Sequence, residues 1–218
     1  RGLIFENWNF DLSNTFGKNT FDYNIENTVN ASLREKSATQ FDAGGLGFSQ
    51  NTTNFDVSRK FDKLNVAFGA EYRHENFQIT AGVPDSYNQY DINGDVVTAT
   101  TPNTIKVSSF YYNGTNSGEL RPGGAQVFPG FKPANTVDKG RNSAAIYADL
   151  EYDVTDKWML NGALRYENYS DFGGTTNYKL ATRYKLTDNI NLRGAVSTGF
   201  RAPSLHQIFY NSTATQFV

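Results

Sequence analysis

Strict alternation of apolar and polar residues over long runs is the feature that most constrains this chain, because a two-residue period suits a β-strand with two unlike faces and no helix. From Trp8 the even positions read Trp8, Phe10, Leu12, Asn14 and Phe16, against Asn9, Asp11, Ser13 and Thr15. Gly17-Lys18-Asn19 is expected to turn, and Phe21, Tyr23, Ile25, Val29, Ala31 and Leu33 then alternate with polar neighbours up to Arg34. A Gly-rich connection, Gly44-Gly45-Leu46-Gly47, is expected next. The unit recurs with Phe55, Val57 and Phe61, a turn at Asp62-Lys63, then Leu64, Val66, Phe68, Ala70 and Tyr72. It recurs again with Ile146–Val154, a turn at Thr155-Asp156-Lys157, and Trp158–Tyr166. The last pair is Tyr178–Leu186, a turn at Thr187-Asp188-Asn189, and Ile190–Phe200. The expectation is an all-β, antiparallel up-and-down meander of about eight long strands in hairpins.

Length and charge separate a membrane sheet from a soluble one. The runs are about 9–13 residues long, against the usual 5–6 of a globular strand, and a tilted membrane-crossing strand needs about 9–11. Short turns close the hairpins, whereas the intervening links are Glu35–Asn51, Asn76–Gly140 and Ser170–Thr175, the asymmetry of an outer-membrane barrel with long extracellular loops. On the apolar face Arg59 is the one charge; the other face carries many, among them Asp11, Asp56, Glu71, Arg73, Glu151, Arg165, Glu167, Lys179, Arg183 and Arg193. Rings at both strand ends (Phe16, Phe21 and Trp158; Tyr72, Tyr166, Tyr178 and Phe200) suit an interfacial girdle. A mean hydropathy of -0.56 is no objection, since only alternate strand residues meet lipid.

Several function classes are excluded. Net charge is -2 and pI about 5.7, so there is no basic footprint for nucleic acid. With no cysteine, neither a disulfide framework nor a thiolate metal site exists. No apolar run is long enough for a spanning helix. The chain opens on Arg1-Gly2-Leu3, already in patterned sequence, so any leader is expected outside these residues.

At Asn191–Leu205 the run Gly199-Phe200-Arg201-Ala202-Pro203-Ser204-Leu205 resembles a barrel motif of TonB-dependent outer-membrane receptors. Phe68–Arg73, Gly123–Gly130 and Leu164–Asp171 resemble the same family. The resemblance implies import of a scarce, bulky nutrient (a siderophore, cobalamin or oligosaccharide), partnership with a plug domain, the TonB energising complex and outer-membrane lipid, and localisation in the outer membrane. It implies no cofactor, no resident metal and no enzyme activity. Such barrels close at about 22 strands, so residues 1–218 are expected to be a partial barrel domain without plug, energy-coupling box or terminal aromatic strand, the chain ending Gln216-Phe217-Val218. The alternative is a self-contained eight-stranded barrel serving as adhesin or anchor; a membrane-embedded hydrolase and a soluble sugar-binding sheet rank below it.

The loop at about 76–140 is the expected ligand contact, because long loops are functional or disordered. Tyr87, Tyr90, Phe110, Tyr111, Tyr112, Phe128 and Phe131 supply rings for stacking on a ligand, or for packing the loop on itself. Within the motif Pro203 is expected to loosen strand pairing, and Arg201 to meet a carboxylate of the plug or a neighbouring strand, or simply to cap the rim. Ser204 near His206 lacks the strained elbow of a hydrolase, and His74 and His206 lack metal-ligand spacing. Asp91-Ile92-Asn93-Gly94-Asp95 superficially resembles a calcium loop, but reads better as a tight turn at Asn93-Gly94.

Overall fold

The structure, a computed structural model, describes residues 2–4, 7–103, 106, 111–112, 115–116 and 120–212. Its strands are β1 (Gly2–Ile4), β2 (Trp8–Glu26), β3 (Gln40–Phe61), β4 (Leu64–Ala81), β5 (Tyr111–Tyr112), β6 (Thr115–Asn116), β7 (Val137–Thr155), β8 (Trp158–Tyr169), β9 (Gly173–Thr187) and β10 (Ile190–Ser197); a short helix, α1, covers Leu205–Phe209. Eight of the strands form one sheet in the order β1-β2-β3-β4-β7-β8-β9-β10, and β5 pairs with β6. No described helix is long and apolar enough to cross a membrane. The chain divides into two compact units. One comprises Arg1–Lys18, Ser49–Asn76 and Gly140–Leu205; the other comprises Asn19–Phe48, Phe77–Lys139 and His206–Val218.

In the first unit the hairpins turn where polar, turn-forming residues interrupt the alternation. Asp62 takes φ 39 between β3 and β4. The other two turns share one device: Thr155 Oγ1 accepts from the Lys157 and Trp158 amides at 3.3 and 3.1 Å, and Thr187 Oγ1 accepts from Asn189 and Ile190 at the same two distances. Register shifts lie beside both turns, between Asp153 and Thr155 and between Ile190 and Asn191. The pairs β1–β2, β7–β8, β8–β9 and β9–β10 run antiparallel, with Leu150 opposite Gly162, and Gly162 opposite Leu180.

Burial along these strands is the reverse of a soluble sheet. On β7 and β8 the apolar positions are the open ones, with Ile146 62%, Leu150 49% and Leu164 55% exposed. Arg141, Ser143 and Glu167, on the opposite parity, are buried. Water would penalise this arrangement by about 25 cal/mol for each Å² of apolar surface left exposed; a hydrocarbon surround removes that penalty. Arg59 sits on the apolar parity at the turn end, where its guanidinium lies 4.4 Å from the Phe61 ring centroid and 5.6 Å from that of Trp8. A cation held on aromatic faces beside a turn suits the interfacial rim.

Several expected boundaries are corrected. Gly17-Lys18-Asn19 does not turn: β2 runs through it, and no residue from Phe16 to Thr20 has the positive φ that a tight hairpin requires. The chain turns instead after Glu26, at Asn27 with φ 55, so Val29 lies in irregular chain and Ala31 and Leu33 in a 3-10 turn rather than a strand. Gly44–Gly47 is not a connection but part of β3. β4 continues to Ala81 and β7 begins at Val137, which trims the long loop at both ends, and β9 begins at Gly173. The sheet therefore has eight strands, but one is the three-residue β1 and two expected strands merge into β2.

The second unit has a conventional core: Phe41, Ala43, Phe77, Ile79, Tyr90, Ala125 and Phe131 are all buried. Gly44 has φ +87, and a Cβ there would lie 2.2 Å from the Thr80 carbonyl oxygen. Both the conformation and the close approach require glycine. Gly44→Ala should therefore destabilise this unit by about 1–3 kcal/mol, measured as a lowered unfolding midpoint.

Candidate functional site

The charged parity of the first unit gathers into two ion-pair clusters on β4, β7 and β8, away from the short turns. Alternation puts Glu71, Arg73 and Glu75 of β4 on one face, with Arg165 and Glu167 of β8 on the corresponding face. Glu71 accepts from Arg73 at 2.5 Å and from Arg165 at 3.1 Å; Arg165 also reaches Glu167 at 3.2 Å. Tyr147 of β7 donates its hydroxyl to Asp56 of β3.

Arg141 is the hub of the upper end. Its side chain is 3% exposed, donates twice to Glu75 Oε2 at 2.7 and 2.9 Å, and lies 3.5 Å from Asp171. It also donates to the Pro203 carbonyl at 2.8 Å. Its guanidinium stands over Tyr169, 5.6 Å from the centroid, and Tyr169 stacks on Phe172 at 4.5 Å, with Phe200 packed against the pair. One buried arginine thus ties together β4, the β8–β9 connection and the Gly199–Ser204 run.

That run is irregular chain. Pairing of β9 with β10 ends near Thr198, whose amide donates to Tyr178 O at 2.9 Å, five residues before Pro203 rather than at it. Arg201 is exposed and makes no ion pair among the described residues, so the carboxylate expected for it is not supplied by a neighbouring described strand. Arg141, which the sequence reading passes over, is the arginine that holds the motif. Its signal is parity with Ser143, Ala145 and Tyr147, immediately beyond what reads as the end of a loop.

In the second unit the long loop is folded around Asn30, which is fully buried. Its Nδ2 donates to the Asp85 and Asn88 carbonyls at 2.8 and 2.9 Å; its Oδ1 accepts from the Ser32 amide and hydroxyl. Asn30→Leu keeps the branched outline of the side chain but removes the donor to the Asp85 carbonyl and the acceptor of the Ser32 amide, at about 1–3 kcal/mol for each group left unsatisfied, whereas the Asn88 carbonyl keeps the Gly124 amide. Limited proteolysis should therefore cut residues 82–136 faster in that variant, with the sheet unaffected.

The ligand-contact candidates separate by environment. Tyr90 is 8% exposed and Phe131 2%, so both rings pack inside the loop. Burial and a 2.5 Å hydrogen bond to Asp85 push the Tyr90 hydroxyl up to about 12, which keeps it protonated as a donor. Phe128 is half-buried and stacks on Tyr23, with centroids 4.9 Å apart and planes at 19°; Phe131 meets both rings edge-on. Tyr210 adds a further edge contact to Phe131. Tyr87 is half-buried beside the 3-10 turn Pro84–Ser86. Tyr111 and Tyr112 pair with Asn116 and Thr115 through the backbone of β5 and β6, and Phe110 lies outside the described residues. Tyr23 and Tyr210 are not among the rings expected from the sequence. The signal for Tyr23 is that aromatic residues change parity between Phe16 and Phe21 on one continuous strand.

Asp91–Asp95 forms the expected tight turn. Asp91 Oδ1 accepts from the amides of Asn93, Gly94 and Asp95 at 2.8–3.0 Å, and Gly94 has φ +93. One of the two Asp91 carboxylate oxygens is thereby engaged by backbone amides.

Comparison with known proteins places these features. A family model described as TonB dependent receptor-like, beta-barrel, matches residues 2–218. The vitamin B12 transporter BtuB of Photobacterium profundum is 24% identical over 154 residues, covering 67% of this chain and 25% of that protein. BtuB of Vibrio vulnificus is 22% identical over 219 residues, covering 94% of this chain and 35% of that protein. A mutant ferric enterobactin receptor of Pseudomonas aeruginosa aligns in structure with a TM-score of 0.49 at 12% identity, over 90% of this chain and 23% of its own. The chain thus spans a quarter to about a third of the length of these curated relatives.

Proposed function

The chain belongs to the TonB-dependent receptor-like β-barrel family, and on that premise we propose that it is a wall segment of an outer-membrane transporter importing a scarce, bulky nutrient such as a siderophore, a cobalamin or an oligosaccharide. The observation that carries this reading is the inverted burial of β4, β7 and β8, with leucines and tyrosines open and charges packed inward. Lipid against the first face and a wet, partly filled lumen against the second account for both. β1 and β10 end the described sheet without pairing to each other, which supports a segment of a larger barrel over a self-contained one. The plug and the energising TonB complex are then partners of the whole polypeptide. Of the ring candidates, Tyr87, Phe110, Tyr111, Tyr112 and Phe128 are those proposed to meet ligand, with Tyr90 and Phe131 holding the loop in shape. Residues 199–204 form the rim, fixed from below by Arg141.

The test is uptake by the full-length protein in a Gram-negative host stripped of its own receptors, using labelled cobalamin, ferric siderophores and oligosaccharides. Uptake of one class that stops when TonB is deleted supports the reading. Outer-membrane insertion with no uptake or binding of any class, or uptake indifferent to TonB, contradicts it.

A further inference from the structure

At the turn end of the first unit the apolar parity carries a charge, Arg59 of β3, which the ion-pair clusters do not use. Its neighbours on that parity are Phe55, Val57 and Phe61, and both phenylalanines are exposed. The guanidinium lies 4.4 Å from the Phe61 centroid and 5.6 Å from that of Trp8 on β2. Trp8 meets Phe61 edge-on, and also Phe68 of β4, with centroids 5.8 Å apart in each pair. Three strands thus build one aromatic cradle around a single cation, two residues before β3 ends.

Ring faces hold the charge but accept no conventional hydrogen bond, so the guanidinium's N–H donors keep their demand. Among the described residues Arg59 makes no hydrogen bond or ion pair, and its Nε is buried. The Trp8 indole N–H has no hydrogen-bond partner there either, whereas Trp158, at the turn end of β8, donates its own to Thr182 at 2.9 Å. A buried charged donor without an acceptor is costly. Lys60 lies on the opposite parity, and Asp62 and Lys63 of the turn cancel in charge. The acceptor must therefore come from what surrounds this face. Beside a turn, that is the boundary between hydrocarbon and headgroups, where the anion is a phosphodiester.

We propose that Arg59 and Trp8 form a headgroup site for a phospholipid, the guanidinium taking two phosphodiester oxygens side by side and the indole N–H a further acceptor. A lipid suits the site better than free inorganic phosphate, because its acyl chains continue over exposed apolar residues of the same face, Phe55 and Phe68. The inference rests on the proposed transporter reading in one respect, that this face meets lipid.

Native mass spectrometry of the full-length protein, released from micelles of an uncharged detergent, tests this. The protein is titrated with phosphatidylglycerol and, separately, with a galactosyl diacylglycerol that has the same chains and no phosphate. The parent should retain one phosphatidylglycerol more than galactolipid. Arg59→Leu should weaken that retention about tenfold, the loss of a hydrogen-bonded charge pair. Equal retention of the two lipids by the parent, which needs no variant to fold, overturns the proposal. So does unchanged retention in Arg59→Leu. Displacement of the phosphatidylglycerol by millimolar inorganic phosphate overturns it too, since a free anion would then be the occupant. A protein that retains this lipid through Arg59 and imports nothing supports the site and counts against the transporter reading alone.

Discussion

Replacing Arg141 with methionine will lower the stability of the full-length barrel by about 3–5 kcal/mol, the cost of leaving a buried partner charge uncompensated. Glu75 is the charge left behind, with its side chain only 12% exposed and both guanidinium contacts gone. The Pro203 carbonyl loses its donor in the same step. The double variant Arg141→Met with Glu75→Gln should recover most of the loss, because removing both members of a buried pair costs far less than removing one. Denaturant unfolding in detergent micelles reads both. A single variant no less stable than the parent would mean that water reaches Glu75 and that the hub holds nothing together.

The second large effect belongs to the apolar face. Leu150→Arg places a cation mid-strand on β7, opposite Gly162, where exposure to hydrocarbon costs about 2–4 kcal/mol. The same arginine at Asn161, opposite Glu151 on the charged parity, should cost no more than about 1 kcal/mol, for the hydrogen bond it removes from Asp149. Equal costs at the two sites, measured by refolding into lipid vesicles, would contradict the assignment of faces.

Legibility in the sequence followed local chemistry. The turns at Asp62-Lys63, Thr155-Asp156-Lys157 and Thr187-Asp188-Asn189 are readable because each combines a capping hydroxyl or a positive-φ residue with flanking alternation. Gly17-Lys18-Asn19 has a similar composition, but its backbone stays extended, and composition alone does not set φ. The long upper halves of β2 and β4 are hidden by a change of surroundings along one strand. On β4 the odd positions read Glu71, Arg73 and Glu75, then Phe77 and Ile79, while the even ones go from Tyr72 to His74, Asn76 and Gln78. The pleat never breaks, yet the polarity of its faces exchanges, so the pattern looks like a strand ending. Arg141 is lost for the same reason at the start of β7. In the loop, seven rings are visible as a set, but burial of Tyr90 and Phe131 depends on a fold organised by Asn30 and Ser32. Those two lie far away in sequence and carry no signal of that role.

The central claim is that even-numbered residues of β7 face lipid. Residues 1–218 contain no cysteine, so spin labels are placed one at a time at each position from Ile146 to Val154 in the full-length protein, with any cysteine elsewhere in it replaced first. In vesicles, Ile146, Ala148, Leu150 and Tyr152 should collide with oxygen, which concentrates in hydrocarbon. Tyr147, Asp149, Glu151 and Asp153 should collide instead with a water-soluble nickel chelate or be shielded from both. A two-residue oscillation of that phase is the expected result; a flat profile, or the opposite phase, would contradict the account.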